Sequence, residues 1–199
     1  MKSLLIATNN AGKLNEITDL LKGYPLHLLA PKDLGLDLDV DETGSTYEAN
    51  ARLKGLAFAQ AAGMAALADD TGLEVDALGG APGLHSKRYA PHPGATDADR
   101  RQLLIRNLAQ FPQPWLARFT CCMVLALPDG SLQVAHGACT GEIIPEERGT
   151  RGFGYDSIFL FPQLAQTMSE VDLEVKNRLS HRARAVLNIR AALEAYIQA

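Results

Sequence analysis

The sequence contains little cysteine, no long hydrophobic run and no excess of positive charge. Its three cysteines, at positions 121, 122 and 139, lack the paired spacing of a zinc site, which favours reduced thiols in a core. No apolar segment approaches the length of a membrane span, and the apolar run near Met1 is too short for the hydrophobic region of a signal peptide. We therefore expect a cytoplasmic protein that has no membrane partner.

The charge balance excludes a class of partner. The chain has 19 Lys and Arg against 23 Asp and Glu, a net charge of -4 at pH 7, whereas a general nucleic-acid binder carries a basic face. We expect no nucleic-acid partner, and any anionic ligand must be held by locally placed cations. Repeats, low-complexity tracts and linkers are also missing, so residues 1–199 are interpreted as one domain.

The apolar pattern predicts an α/β fold with a mixed sheet. A strand at 4–7, a helix at 13–21 and a strand at 26–30 predict a right-handed parallel β-α-β unit. Ser45 and Glu48 fit a capping box, which predicts a helix over 46–62. Asp129-Gly130 predicts a hairpin. The remaining predicted elements are a helix at 97–110 capped by Thr96, strands at 119–127, 132–144 and 157–161, and a helix after Ser180.

Two adjacent carboxylates, Asp69 and Asp70, follow the apolar run 64–68. That run predicts a short buried strand, so the acids would emerge at its carboxyl end, where α/β sheets place ligand crevices. Neighbouring like charges are tolerated most readily where a cation or a substrate proton answers them. The alternative interpretation is a solvated turn that closes the strand.

Two segments offer groups for a phosphate. The loop 8–13 joins a strand to a helix, and its free amides and Lys13 suit a phosphate. It is not a Walker A loop, because Ala7 and Leu14 stand where that motif needs Gly and Ser or Thr. Asn50 and Lys54 share one helix face. The alternatives are a capped helix with a solvated Lys13, and a polar stripe on an amphipathic helix.

An acidic turn at Asp41-Glu42 offers ligands for a hard cation. Mg²⁺ is usually held by one or two carboxylates together with substrate phosphates. One acid from this turn and Asp70 would form such a partial cage. The sequence pattern leaves open which of the two acids takes part.

The start of the last predicted helix conflicts with helix electrostatics. Ser180 is a good N-cap, but His181, Arg182 and Arg184 occupy the first turn, where the macrodipole disfavours cations. An anion held by that turn would relieve the conflict, and Lys176 lies just before it. The alternative is a set of exposed basic side chains, each of which lowers helix stability by roughly a few tenths of a kcal/mol.

The loop Gly152-Phe153-Gly154-Tyr155-Asp156 carries an aromatic between glycines. Phe153 is suited to stacking on a nucleobase, and Asp156 to accepting hydrogen bonds from base N–H groups. A dinucleotide-binding fingerprint is excluded, because Ser157 takes the place of its third glycine. The alternative is a β-turn with a core phenylalanine.

With these segments in place, the chain resembles the inosine/xanthosine triphosphate pyrophosphatase family. Five blocks occur in the family's order: ATNNAGKLNEI, ETGSTYEANARLKG, ALADDTGLEVDALGGAPGLHSKRYA, GFGYDSIFLFP and LSHRARA. The resemblance implies Mg²⁺-dependent hydrolysis of dITP, ITP and XTP to the monophosphate and pyrophosphate. It also implies an elongated two-lobed α/β fold with a long central mixed sheet flanked by helices, an active-site cleft between the lobes, and a homodimer.

The resemblance also implies roles for individual residues. Asp70 would be the general base and a metal ligand. Asp69 beside it, and Asp41 or Glu42, would be further metal ligands. One position departs from the family pattern, because Ala49 replaces its usual glutamate and Glu48 stands one residue earlier. The implied substrate-binding residues are Thr8, Asn9, Asn10, Ala11, Gly12, Lys13, Lys54, Thr71, Phe153, Gly154, Tyr155, Asp156, Lys176, His181 and Arg182.

Two other functions fit the same residues. One is a nucleotide-sensing or RNA-binding module that keeps the pocket without turnover. The other is a related pyrophosphatase that acts on modified pyrimidine nucleotides. Replacing Asp70 tests the first alternative, and a panel of substrates tests the second.

Overall fold

The computed structural model describes residues 1–199 and shows an α/β fold. The five helices are α1 Ala11–Leu20, α2 Tyr47–Ala62, α3 Asp97–Leu108, α4 Leu173–Leu179 and α5 His181–Gln198. The eight strands are β1 Lys2–Ile6, β2 Leu26–Leu29, β3 Ala66–Val75, β4 Pro82–Gly83, β5 Trp115–Ala126, β6 Leu132–Ile143, β7 Phe159–Phe161 and β8 Gln166–Thr167. No helix is both long and apolar enough to span a bilayer.

The eight strands form one mixed sheet. Its order is β2-β1-β3-β5-β6-β7-β8, and β4 pairs with β3. β1 runs parallel to β2 and to β3, with Leu5 opposite Leu29 and Ala66 respectively. β7 is antiparallel to both β6 and β8. The predicted α/β class, mixed sheet and parallel β-α-β opening are therefore confirmed.

The chain packs into two compact units, each with its own core. The first unit comprises Met1–Asp70, Cys121–Gly137 and Arg182–Ala199. The second unit comprises Thr71–Thr120 and Ala138–His181. The chain passes from one unit to the other within β3, β5 and β6, and between His181 and Arg182.

Strand alternation organises the core of the first unit. In β1, Leu4 and Ile6 pack with apolar residues of α1 and α5, whereas Leu5, and Ala7 just after the strand, pack with residues of α2. The reason is that successive side chains of a strand point to opposite faces. Gly55 allows α2 to approach closely, since a Cβ there would lie 3.2 Å from the Ala126 Cβ. Each face of these strands is thus covered by its own helices.

The second unit has a core rich in aromatic residues. Trp115, Phe119, Phe159 and Phe161 are buried there with apolar residues of α3. The rings of Phe119 and Phe159 lie 4.8 Å apart between centroids. These contacts fix the start of β5 against the chain that follows β6.

Three local predictions were wrong. Thr46, and not Ser45, caps α2, because its side chain accepts from the Ala49 amide. Glu48 pairs with Arg52 instead of closing a capping box. Asp69 and Asp70 lie inside the ten-residue strand β3, so they neither stand at its carboxyl end as predicted nor form the alternative turn.

The seven-residue helix α4 was also missing from the predicted elements. Its cap, Asp172, accepts a hydrogen bond from the Val175 amide at 2.8 Å. Since one short helix has few apolar positions, its periodicity is hard to detect in the sequence. The capping pattern of the third helix, in contrast, was predicted correctly, with Thr96 and Asp99 bonded to each other's backbone.

The buried and exposed faces of α5 give a stability prediction with a matched control. Ile189 is 2% exposed in the first core, whereas Leu187 on the same helix is 64% exposed. We expect Ile189→Ala to lower the free energy of unfolding by about 2–5 kcal/mol, because it leaves a cavity. Leu187→Ala should change it by less than about 0.5 kcal/mol. Urea unfolding measures both, and equal losses would contradict the described packing.

Candidate functional site

The two adjacent acids of β3 point to opposite faces of the strand. Leu67 packs with residues of α1 and α5, and Ala68 packs with residues of α2. With a side-chain period of two, Asp69 follows Leu67 and Asp70 follows Ala68. Because β1 ends at Ile6, opposite Leu67, both acids lie just beyond the end of that neighbouring strand. The sequence thus places one carboxylate on each face at the same point.

Asp69 is the centre of a buried ion cluster. Its Oδ2 lies 3.1 Å from the Lys13 Nζ and 3.1 Å from the Arg182 Nη2. Arg182 also forms an ion pair with Glu16, one turn after Lys13 on α1. Burial alone would lower the pKa of the Arg182 guanidinium, but the charges of Asp69 and Glu16 raise it overall. Asp69 therefore holds two cations in fixed positions.

This cluster resolves the conflict at the start of α5. His181 and Arg182 are buried, while Arg184 is exposed. The interpretation as a set of exposed basic side chains is wrong for the two buried residues. The carboxylates of Asp69 and Glu16 neutralise the charge of Arg182, so at this residue the protein itself supplies the anion.

Asp70 lies on the α2 face among polar partners. The Asn50 Nδ2 donates to its Oδ2 at 3.1 Å, and Asp70 is 7% exposed. Burial raises the pKa of the Asp70 carboxyl, and the nearby charges of Lys13 and Lys54 do not fully offset that effect. This carboxylate is therefore a stronger base than an exposed aspartate.

Lys54 connects the acidic turn to the strand. Its Nζ lies 2.6 Å from the Glu42 Oε1 and donates to the Asp69 carbonyl at 3.0 Å. Burial would lower the pKa of Lys54, but Asp69 and Glu42 raise it overall. The predicted pair on α2, Asn50 and Lys54, thus faces the acids and is not a solvated stripe.

The two acids of the predicted metal-binding turn are placed differently. Glu42 is held by Lys54, whose Nζ also donates to the carbonyl of Asp69, one residue before Asp70. Asp41 is exposed and takes no part in these contacts. Of the two alternatives, the geometry favours Glu42.

The first loop is ordered by its asparagines. The Asn10 Oδ1 caps α1 by accepting from the Lys13 amide at 3.0 Å, and Thr8 accepts from the Asn10 amide at 3.2 Å. The Asn9 Nδ2 donates to the Leu38 carbonyl at 3.0 Å. Ala11 and Gly12 form the first turn of α1. The capping alternative is correct for Asn10, but Lys13 is not solvated, because it contacts Asp69.

The second unit holds a separate buried ion pair. The Lys176 Nζ lies 2.6 Å from the Asp156 Oδ2, and both side chains are about nine-tenths buried. The Phe153 amide donates to the same oxygen at 3.1 Å, and the Phe153 ring lies 5.8 Å from Lys176. Gly152 has a φ of +77°, and a Cβ there would collide with the Asp156 carboxylate. Glycine at 152 therefore makes this compact arrangement possible.

Helix α3 fixes the glycine-bearing loop. The Gly154 amide donates to the Asp97 Oδ2 at 2.7 Å, and the Arg101 Nη1 donates to the Gly154 carbonyl at 2.7 Å. The buried Tyr155 hydroxyl donates to the Ser86 carbonyl at 2.8 Å. Asp97 and Arg101 were missed in the sequence, although their spacing of four residues indicated one helix face.

His181 and Thr71 are the remaining second-unit candidates. The His181 ring stacks on Phe119, with centroids 4.7 Å apart and an interplanar angle of 14°. Its Nδ1 lies 3.9 Å from the Cys139 Sγ. Thr71 is half-buried and follows Asp70 directly in β3. The partners Phe119 and Glu16 had no signal in the sequence, because their contacts depend on packing across the sheet.

Comparisons with known proteins identify the family. A sequence model of the Ham1 family matches residues 4–192. The chain belongs to the Ham1 family. A Ham1 relative from Desulforamulus reducens, named dITP/XTP pyrophosphatase, is 44% identical over 92% of this chain and 91% of its own length. The predicted family is therefore confirmed.

Solved Ham1 structures share the fold over the full length. A HAM1 protein from Coxiella burnetii matches with a TM-score of 0.86 and 37% identity, over 98% of this chain and 100% of its own. The Ham1 protein of Staphylococcus aureus matches with a TM-score of 0.84 and 39% identity, with the same coverage. The mixed sheet and flanking helices are thus those of Ham1 proteins.

The two acids should affect stability in opposite directions. Asp69→Asn leaves the buried Arg182 and Lys13 with one carboxylate fewer. We expect a loss of about 3–5 kcal/mol in the free energy of unfolding, the usual effect of breaking a buried ion pair. Chemical denaturation checks this, and a loss below about 1 kcal/mol would contradict the described cluster.

Asp70→Asn should stabilise the protein in EDTA at neutral pH. The folded-state pKa of Asp70 lies above its ordinary value, so ionisation lowers stability as the pH rises through the folded pKa. Asparagine cannot ionise, and we expect a melting temperature about 2–4 °C higher for each kcal/mol regained. Thermal unfolding at pH 7.5 measures this. Asp37→Asn, at an exposed position, should leave the value unchanged, and a lower value for Asp70→Asn would contradict the prediction.

Proposed function

We propose that this chain hydrolyses deaminated purine nucleoside triphosphates, dITP, ITP and XTP, to the monophosphate and pyrophosphate with Mg²⁺. The observation that carries the proposal is Asp70, a buried carboxylate that accepts a hydrogen bond from Asn50 and whose pKa is raised mainly by burial. The predicted enzyme class, a nucleoside triphosphate pyrophosphatase, is confirmed by relatives that bear the name dITP/XTP pyrophosphatase. The substrates and the metal are our proposal for this chain.

The triphosphate would be held by the start of α1 and by two lysines. The loop Thr8–Lys13 precedes that helix, whose free amides and positive dipole end suit a phosphate. Lys13 and Lys54 are partly buried and anchored by Asp69 and Glu42. Anchored cations need little reorganisation when an anion arrives, which favours electrostatic stabilisation of a polyphosphate.

Asp70 and Glu42 are the residues that would hold Mg²⁺. The fit is chemical, because both residues offer hard carboxylate oxygens, and a cation would stabilise the negative charge of the buried Asp70. When bound, Mg²⁺ would offset the charge of the phosphates. Asp69 and Asp41 as further metal ligands remain predictions. In the structure the Asp69 carboxylate contacts Lys13 and Arg182.

The reaction step assigned to Asp70 is proton removal from water. The water oxygen attacks the α phosphorus, the bond from that phosphorus to the bridging oxygen breaks, and pyrophosphate leaves. The proton of the water passes to the Asp70 carboxylate. A base whose pKa lies nearer to neutrality than that of an exposed aspartate is suited to this transfer.

Recognition of the base is assigned to the second unit. Phe153 offers a ring for stacking, while Lys176 and His181 offer donors for a 6-oxo oxygen. These donors would meet only another donor in the 6-amino group of ATP, which disfavours adenine. Because Tyr155 is bonded to Ser86, its support for the base is through the loop, and its direct contact with substrate stays a prediction.

The chain passes between the two units at residues of the predicted site. Asp70 and Thr71 are consecutive, as are His181 and Arg182. In each pair, one residue belongs to the first unit and the other to the second. A homodimer, a cytoplasmic location and a cleft between lobes also remain predictions from the resemblance.

The test is pyrophosphate release from dITP, XTP, ITP, GTP, ATP and dUTP, measured side by side with Mg²⁺. We expect release from dITP, XTP and ITP to be much faster than from ATP. Asp70→Asn should lower turnover by about 10²–10⁴-fold, as expected for loss of a general base. Asp37→Asn is the matched exposed control and should behave as the unaltered protein.

Each contrary result has one meaning. No release from any deaminated purine nucleotide overturns the proposal. Binding without turnover, unchanged in Asp70→Asn, indicates a nucleotide sensor. Preference for dUTP indicates a pyrimidine enzyme.

A further inference from the structure

A second group of metal-ligating side chains lies in the first unit. Single donor atoms of Glu48, Cys122 and His136 all lie within 4.8 Å of one another. None of these residues belongs to the set assigned to substrate or Mg²⁺. The group combines a carboxylate, a thiol and an imidazole, so it is not merely an acidic patch.

The hairpin turn explains why two of the three residues meet. The Leu127 amide donates to the Ser131 carbonyl at 2.9 Å, which pairs these residues at the end of the hairpin. Counting five residues from this pair along each strand, away from the turn, places Cys122 opposite His136. Directly opposed side chains on one face of a sheet are close neighbours.

The third residue comes from the helix that covers this face. Cys122 packs in the cluster formed with α2, and Glu48 lies in the first turn of that helix. The Glu48 Oε1 lies 2.7 Å from the Arg52 Nη2, whereas its Oε2 faces the His136 Nε2 at 3.3 Å. The carboxylate can therefore keep Arg52 on one oxygen and use the other as a ligand.

Glu48 and His136, but not the buried Cys122, line an open surface cavity of about 360 Å³. Its lining residues are Thr46, Tyr47, Glu48, Ala49, Arg52 and His136. The side chain of His136 is 58% exposed, so an ion has a route from solvent. The cavity also has room for a water molecule as a further ligand.

We propose that Glu48 Oε2, Cys122 Sγ and His136 Nε2 bind one divalent ion of the Zn²⁺ class, with water as the fourth ligand. Sulfur and nitrogen donors select such ions over Mg²⁺. Tetrahedral coordination at Zn–S and Zn–N distances near 2.3 and 2.0 Å needs ligand atoms roughly 3.5 Å apart. The three donor atoms, which lie within 4.8 Å of one another, would therefore move closer together when an ion binds. The Cys122 thiol gives its proton to solvent as the S–metal bond forms.

An ion at this place would join three elements of the first unit. It links the start of α2 to both strands of the hairpin. Helix α2 also carries Asn50 and Lys54, which contact the two acids of β3. Binding to the folded state alone raises apparent stability. The expected effect is thus a higher melting temperature with Zn²⁺.

The test uses Co²⁺ as a spectroscopic probe on the full chain after EDTA treatment and dialysis. We expect a near-ultraviolet thiolate-to-cobalt charge-transfer band that saturates at one ion per chain. Cys122→Ser should abolish the band, and His136→Ala should weaken Co²⁺ binding at this site at least about tenfold. His92→Ala, which removes another exposed histidine, is the matched control and should keep both.

The variants also separate this site from the proposed Mg²⁺ site. Asp70→Asn should lose turnover and keep the cobalt band. The ligands of the proposed Mg²⁺ site are carboxylate oxygens, which contribute nothing to a thiolate signal. Since His136 is exposed, His136→Ala tests the proposal even if Cys122→Ser does not fold. Absence of the band in the unaltered protein, or Co²⁺ affinity unchanged by His136→Ala, overturns the proposal. So does a Zn²⁺-dependent rise in melting temperature that persists undiminished in His136→Ala.

Discussion

The alternation of side chains along β3 is the constraint on which the first unit's site depends. It sends two adjacent carboxylates to different helices, where they meet different partners. Asp69 is buried against Lys13 and Arg182, while Asp70 meets Asn50 on α2. A pair that reads as a single acidic feature in the sequence is thus two groups with separate environments. Asp69 holds Lys13 and Arg182 in place, whereas the negative charge of Asp70 is less fully offset by neighbouring cations.

This division links stability to chemistry in the first unit. The ion cluster around Asp69 fixes Lys13 without placing that lysine in bulk water. The same arrangement leaves Asp70 with a raised pKa, a local cost that is common at functional sites. An ion cluster held by several contacts, beside a carboxylate whose pKa is raised by burial, is the pattern expected of a preorganised site.

Much of the fold follows from local signals in the sequence. The β-α-β opening, the hairpin at Asp129-Gly130 and the cap at Thr96 depend on short-range patterns, and all were predicted. The turn interpretation of Asp69-Asp70 failed because polar residues in a strand resemble a strand end unless the neighbouring chain is known. Helix α4 was missed because seven residues give little periodicity.

A similar share of the candidate site could be predicted from the sequence. Lys13, Lys54, Asp156 and Lys176 were found as separate groups, and the structure shows which partner holds each one. Glu16, Asp97 and Phe119 were not found, because their roles depend on contacts between elements distant in the chain. Residue type indicates what chemistry is available, whereas packing decides which group it serves.

The strand geometry at Asp69 and Asp70 also limits how this region of the chain can evolve. Insertion or deletion of one residue between the start of β3 and these acids would exchange their faces. Arg182 would then lose its buried counter-ion, and Asn50 would face the wrong carboxylate. We therefore expect insertions and deletions between the start of β3 and these acids to disrupt both sets of contacts.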